Sequence, residues 1–272
     1  MAQKIDTLKV PGAALYHEVR GSGPVLLCIT GGPTDAGVFA QMAELLADRY
    51  TVVTYDQRGH SRSSIEIPES ATVEAHADDA AALIDAFSSE PAFVIGSSGG
   101  GTIGLDLVTR HADKVKTLVA HEPPVMVLLP DADRWREIFR GIYETYKTEG
   151  VMPAMEKFGR AVDEGGPPYE PPPPTPETQE MFARVSANFD LFLAHEILSI
   201  GLYEPDIDAL KASPSEIVVA GGKTSGEQGA YRAAVALAER LGIELTYFEG
   251  AHGGAGAPED AFAERLHEVL SA

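Results

Sequence analysis

The stretch Pro91-Ala-Phe-Val-Ile95-Gly96-Ser97-Ser98-Gly99-Gly100 decides the reading of this chain of 272 residues. Its first half is a short apolar run of the kind that forms a buried strand. It breaks directly into Gly96-Ser97-Ser98-Gly99-Gly100, which fits G-x-S-x-G and is followed by helix-compatible sequence. A serine on so sharp a strand-to-helix turn sits in a strained backbone conformation, and small residues on both sides let strand and helix approach closely. Ser98 is therefore the candidate nucleophile. Only this register works, because centring the motif on Ser97 would put Ile95 where its first glycine must stand.

Outward from this stretch, short apolar runs alternate with longer helix-period segments, the signature of parallel strands joined by crossover helices and hence of an α/β architecture. Strands are expected near 4–10, 13–20, 24–30, 51–55, 91–96, 115–120, 215–221 and 243–248, and helices near 36–47, 72–88, 99–111, 227–241 and 258–271. Only Pro11-Gly12 separates the first two strands, which predicts an antiparallel hairpin ahead of the parallel portion. Residues 123–213 break the alternation. Within them the stretches beginning at Asp133 and running from Glu177 to Tyr203 read as amphipathic helices, so this part is expected to be an inserted helical cap. The core is then 1–122 together with 214–272. Between the cap helices, the proline-rich Gly165–Pro176 can continue neither a helix nor a sheet ladder and is expected to be an extended surface connection.

Composition narrows the classes of function. A formal net charge of −20 gives a strongly acidic surface that repels phosphate backbones and anionic lipid, so neither nucleic acid nor a membrane is an expected partner. The amino-terminal residues contain no apolar signal core, and no run reaches the roughly 18 to 20 apolar residues of a membrane helix. A cytoplasmic protein is expected. The single cysteine, Cys28, lies in the apolar run Val25–Ile29 and reads as a small buried hydrophobe. No Cys/His cluster suggests a metal site, and no cofactor is expected. A homodimer is compatible with the sequence, and the oligomeric state stays open.

A serine hydroxyl is a weak nucleophile and needs an adjacent base. His252 is the candidate. It follows the last expected strand in Glu249-Gly-Ala-His-Gly-Gly254, and loops after the carboxyl ends of parallel strands gather on one sheet edge. Acyl transfer also needs donors for a developing oxyanion, and backbone amides supply them without reorganisation. The glycines of Thr30-Gly-Gly-Pro33 leave amides open, so the N–H groups of Gly32 and of Gly99 are assigned to the oxyanion hole.

The chain resembles the α/β-hydrolase superfamily over nearly its whole length. The resemblance rests on Thr30-Gly-Gly-Pro33 as an HGGP-like loop, Asp56-Gln-Arg-Gly-His-Ser-Arg-Ser63 as the D-x-R-G-x-G-x-S segment, the elbow around Ser98, and Gly250-Ala-His252. It implies an eight-stranded, mostly parallel sheet with a helical cap after the sixth strand. Two positions depart from the family's pattern. Thr30 stands where the family usually has histidine, which alters the support of the loop rather than the donor itself. The loop that usually carries the triad acid reads Gly221-Gly-Lys-Thr-Ser-Gly-Glu227, with Thr224 in the expected slot. Some members carry the acid after the sixth strand instead, where this chain has Glu122. A carboxylate there would accept from the imidazole of His252 and hold its tautomer. Glu227, or no acid at all, is the alternative.

Arg58 is expected to form a structural ion pair with Asp56. Some of Trp135, Phe139, Tyr143, Met152, Met155, Phe189 and Phe192 are expected to line an apolar pocket. Together these readings imply a serine hydrolase that cleaves a small to medium, largely apolar ester or lactone. A peptidase of the proline-iminopeptidase kind, a carbon–carbon bond hydrolase and a non-catalytic binding scaffold are the alternatives.

Overall fold

In the computed structural model, which describes residues 3–166, 175–256 and 260–272, nine strands join one sheet. They are β1 (Lys4–Val10), β2 (Ala13–Gly21), β3 (Val25–Ile29), β4 (Thr51–Tyr55), β5 (Ser64–Ile65), β6 (Ala92–Ser97), β7 (Val115–His121), β8 (Glu216–Gly222) and β9 (Thr246–Phe248). Their order is β1-β2-β4-β3-β6-β7-β8-β9, with β5 attached to β2. The pairings from β4 through β3 to β9 are parallel, and β2 runs antiparallel to β1, β4 and β5.

The helices are α1 (Ala40–Leu46), α2 (Val73–Phe87), α3 (Gly99–Arg110), α4 (Ala132–Glu149), α5 (Val151–Asp163), α6 (Pro176–Ala187), α7 (Phe189–Leu191), α8 (Ile197–Gly201), α9 (Ile207–Ala212), α10 (Gly229–Leu241) and α11 (Asp260–Leu270). Helices α4 to α9 lie between β7 and β8. Among the described residues, no helix is long and apolar enough to cross a membrane.

Strand β3 is buried at every position because both sheet faces are covered, which is why it reads as an unbroken apolar run rather than an alternating one. Its alternate side chains enter different cores. Leu27 and Ile29 pack with Val94 of β6, Leu83 of α2, Ile103 of α3 and Leu237 of α10, whereas Leu26 and Cys28 pack with Met42 of α1 and with Phe262 and Leu266 of α11. Each fully buried Leu or Phe contributes about 1.5–3 kcal/mol relative to exposure, so slipping a central strand by one residue would put the wrong side chains into both cores at once.

The structure departs from the sequence expectations in four places. Strand β5 is an additional two-residue strand, held by the pairs Ala13↔Ile65 and Ala14↔Ser64 and too short to show a period. The last expected strand, 243–248, is reduced to β9. Helix α5 was not anticipated. It is set off from α4 by Gly150 at φ 96, so the two helices read as one apolar-periodic stretch. The expected single helix over 177–203 breaks at the buried Asn188, and its continuation passes through a π-helical stretch, Phe192–Glu196, before α8. Apolar residues keep one face on both sides of the break, so periodicity alone does not register it. Most of the proline-rich connection, residues 167–174, lies outside the described residues.

Candidate active site

The ends of β3, β6, β7 and β9 deliver one candidate residue each, Gly32, Ser98, Glu122 and His252, to the carboxyl edge of the sheet. The chain leaves β3 for β4 on one side, while β6 lies on the other, so the loops after β3 and β6 separate a crevice at the point where strand order reverses.

Ser98 stands between β6 and α3 with φ 54 and ψ −125, a conformation costly for a side-chain-bearing residue. The surrounding packing imposes it and explains the flanking glycines. A Cβ on Gly96 would lie 2.2 Å from the carbonyl oxygen of Gly100, and one on Gly100 would lie 2.1 Å from that of Ile29. Neither obstacle can move, because one belongs to the backbone of the helix that the turn enters and the other to the neighbouring strand β3.

The imidazole of His252 bridges two of its expected partners. Its Nε2 is 3.1 Å from Ser98 Oγ and its Nδ1 is 2.8 Å from Glu122 Oε2. A carboxylate only accepts, so Nδ1 carries the proton and Nε2 offers its lone pair to the Ser98 hydroxyl. Glu122 is fully buried and lies just past β7 at φ 46, with its N–H donating to the Ala220 carbonyl at 3.0 Å. Its other oxygen, Oε1, accepts from the Gly222 amide at 2.7 Å and from the Ser225 hydroxyl at 2.5 Å. Burial alone would raise this carboxyl. The bond from His252, the nearby imidazoles and the Ser225 bond outweigh it and hold Glu122 below the ordinary carboxylate value. Glu227 and Thr224 are exposed, and neither is among the hydrogen-bond partners of His252.

The two amides expected to receive an oxyanion also meet. Gly32 has φ 55, a backbone region that glycine enters without penalty. A Cβ on Gly99 would be 3.5 Å from Gly32 N, so the two N–H groups border the same space beside Ser98. Gly99 is the first residue of α3, where helix geometry leaves the amide without an internal acceptor.

An apolar cavity runs from Ser98 and His252 under the helices between β7 and β8. Of the expected lining residues, Trp135, Phe139 and Phe192 border it. Tyr143 and Met155 pack against the core instead, Phe189 is buried elsewhere, and Met152 is 60% exposed. The sequence reading missed Met126, Phe158 and Ile200, which also line the cavity. Apolar residues at helical spacing look alike whether they face a core or a cavity. Among the described residues, no Asp, Glu, Lys or Arg lines this space.

Two further results concern charges near the site. The expected Arg58–Asp56 pair is not formed. Arg58 instead makes a bidentate pair with Asp79 of α2, at 2.7 and 2.6 Å, and Asp56 receives Arg62 at 2.7 and 2.8 Å. Arg58 points towards α2, a partner 21 residues away that proximity in sequence does not reveal. The reading also missed a buried cluster in which Glu196 accepts from His60 Nε2 at 2.9 Å and from His76 Nε2 at 3.1 Å.

This chain is similar in sequence and fold to known proteins. A family model described as the alpha/beta hydrolase fold matches residues 24–153. The uncharacterized hydrolase YraK of Bacillus subtilis (strain 168) is 39% identical over 276 residues, covering 97% of this chain and 95% of that protein. Among solved structures, an esterase from Exiguobacterium antarcticum superposes with a TM-score of 0.76 at 20% identity, covering 97% of each chain. The enol-lactonase from Burkholderia xenovorans LB400 gives a TM-score of 0.73 at 18% identity, covering 98% of this chain and all of that one.

Proposed function

Because the chain belongs to the α/β-hydrolase superfamily, we propose that it is a serine hydrolase cleaving a small to medium, largely apolar carboxylic ester or lactone through an acyl-enzyme on Ser98. The observation that carries this reading is the continuous hydrogen-bonded line from Ser98 Oγ through His252 to Glu122. In the first step Ser98 Oγ attacks the ester carbonyl while His252 Nε2 takes its proton. The carbonyl oxygen becomes an anion facing the N–H groups of Gly32 and Gly99. Glu122 stabilises the imidazolium without taking its proton. Collapse of the tetrahedral intermediate breaks the acyl–oxygen bond, and Nε2 returns the proton to the departing alkoxide. Water then repeats the sequence in reverse order, releasing the acid and restoring Ser98.

The cavity supports an apolar acyl or alcohol portion, since a charged group there would lose hydration without gaining a partner. Residues 123–213 act as the cap in this reading, and their helices supply most of the cavity wall. The esterase and the enol-lactonase share the fold, and the chemistry is argued from this chain's own residues.

Hydrolysis of a p-nitrophenyl ester series, run beside an amino-acid p-nitroanilide, tests the proposal. Ester turnover that disappears in Ser98→Ala, together with fluorophosphonate labelling of Ser98, is the expected result. Turnover of the anilide alone would replace the esterase reading with a peptidase. Equal ester turnover in Ser98→Ala would remove Ser98 as nucleophile.

A further inference from the structure

In the oxyanion loop Thr30–Thr34, four of the five carbonyls face a side-chain donor. The Thr30 carbonyl accepts from Gln57 Nε2 at 2.7 Å, that of Gly31 from Thr34 Oγ1 at 2.6 Å, that of Pro33 from Asn188 Nδ2 at 3.1 Å, and that of Thr34 lies 3.3 Å from His60 Nδ1. The Gly32 amide has no protein acceptor among the described residues. The side chain of Thr30 takes no part, since its buried hydroxyl also has no partner. Where the family usually has a histidine, this chain relies on bonds from elsewhere.

One of those bonds comes from the helices between β7 and β8. Asn188 is 2% exposed and occupies the break between α6 and α7. Its amide group joins two loops of the sheet. Nδ2 donates to the Pro33 carbonyl and to Ser61 Oγ, at 3.1 Å each, while Oδ1 accepts from the Ser61 amide at 2.6 Å. A second link runs parallel to it. Glu196, in the π-helical stretch, accepts from His60, whose other ring nitrogen faces the Thr34 carbonyl.

We infer that Asn188 is a positioning residue for the oxyanion hole, aiming the Gly32 amide through its bond to Pro33 and so making the hole depend on the docked position of the helical segment. The inference rests on the serine-hydrolase reading above. A loop containing two consecutive glycines has wide backbone freedom, and an amide that wanders by about an ångström loses much of its value to a transition state. Asn188 bonds the carbonyl of Pro33, the residue next to Gly32, and so restrains the Pro33–Thr34 peptide, two peptide planes along the chain from the Gly32 N–H. It does not touch substrate.

The test compares wild type with Asn188→Ala and Asn188→Ser. The serine variant keeps a small polar group near Ser61 but is too short to reach Pro33. Three quantities are measured on p-nitrophenyl esters and phenylboronic acid: kcat, KM, and inhibition by the boronic acid, which mimics the tetrahedral anion on the serine. Loss of one oxyanion donor costs about 10²–10³ in kcat, and loss of its aim is expected to cost less, about tenfold. Boronic acid inhibition should weaken by a similar factor, with KM within about twofold of wild type. A pure wall or stability role would instead raise KM, or lower Tm with kcat per folded molecule intact, and either result would overturn the inference. Asn188→Ser keeps the question answerable if Asn188→Ala does not fold. A wild type that hydrolyses esters alongside variants of equal kcat defeats only this inference, whereas a wild type inert to esters and to fluorophosphonate defeats the underlying reading as well.

Discussion

Glu122 and His252, 130 residues apart in the chain, meet at 2.8 Å between Oε2 and Nδ1, and the contact is possible because Glu122 sits at φ 46 immediately past β7. The unfavourable backbone persists because four bonds over-determine it: the Glu122 N–H to Ala220, the Gly222 amide and Ser225 hydroxyl to Oε1, and the imidazole to Oε2. Replacing the carboxylate by an amide keeps the shape but permits the wrong His252 tautomer. Glu122→Gln should therefore lower kcat by about 10³–10⁴ with a circular-dichroism spectrum like wild type. Turnover within a few-fold of wild type would show that His252 is oriented by something else.

Ser225 should report on the same carboxylate through pH. Its hydroxyl helps hold Glu122 below the usual carboxylate value, so Ser225→Ala should move that value upward. In the proposed mechanism activity needs the ionised form, and the acid limb of the kcat/KM profile should then shift to higher pH, with the neutral plateau reduced less than in Glu122→Gln. The stability contributed by a lowered carboxyl is present above the ordinary value of 4.5 and is lost as pH falls, so the variant should be less stable near neutrality and should lose less of its stability on acidification. An unmoved acid limb would argue against the role of Ser225.

The His60–Glu196–His76 cluster predicts a stability maximum. Burial alone would raise Glu196, but the two imidazoles prevail and hold it at about 2, so its contribution is complete above about 4.5 and declines as pH falls towards 2. For His60, burial lowers the value, yet the Glu196 carboxylate prevails and raises it. That contribution is complete below about 6.5 and declines as pH rises through the raised value. The cluster should therefore stabilise most between about pH 4.5 and 6.5. Thermal melts across pH should show this bias in wild type and its loss in Glu196→Gln; identical pH profiles would refute it.

The Arg58–Asp79 pair is buried on both sides, with side-chain exposures of 6% and 1%. Removing one partner strands the other, so Arg58→Met should cost about 3–5 kcal/mol, whereas Arg58→Met with Asp79→Leu should recover much of that loss. Urea unfolding of the single and double variants distinguishes this from a pair that contributes only by its own attraction, for which the double variant would be no better than the single.

Much of the candidate site was legible in the sequence because its residue types fall within short stretches. Gly96, Ser98 and Gly100 belong to one turn, the Gly32 loop directly follows an apolar strand, and His252 follows the last one. The eight expected strands are present, and the central ones read as apolar runs because both of their faces are covered. What escaped the reading lacks such local constraints. Strand β5 is two residues long, α5 shares the period of α4, and Asn188 interrupts a helix without interrupting its apolar face.

The sequence by itself determined the α/β order of elements, the strand-to-helix turn at Ser98 and the place of His252 after the last strand, because each depends on side-chain chemistry or periodicity within a few neighbouring residues. Only the tertiary structure decided which carboxylate faces His252, that Arg58 pairs with Asp79 rather than Asp56, and that Asn188 and Glu196 bond to loops near Ser98. These are contacts between segments far apart in the chain. Their partners are selected by the direction in which each strand end or helix face points, and that direction exists only once the sheet has assembled.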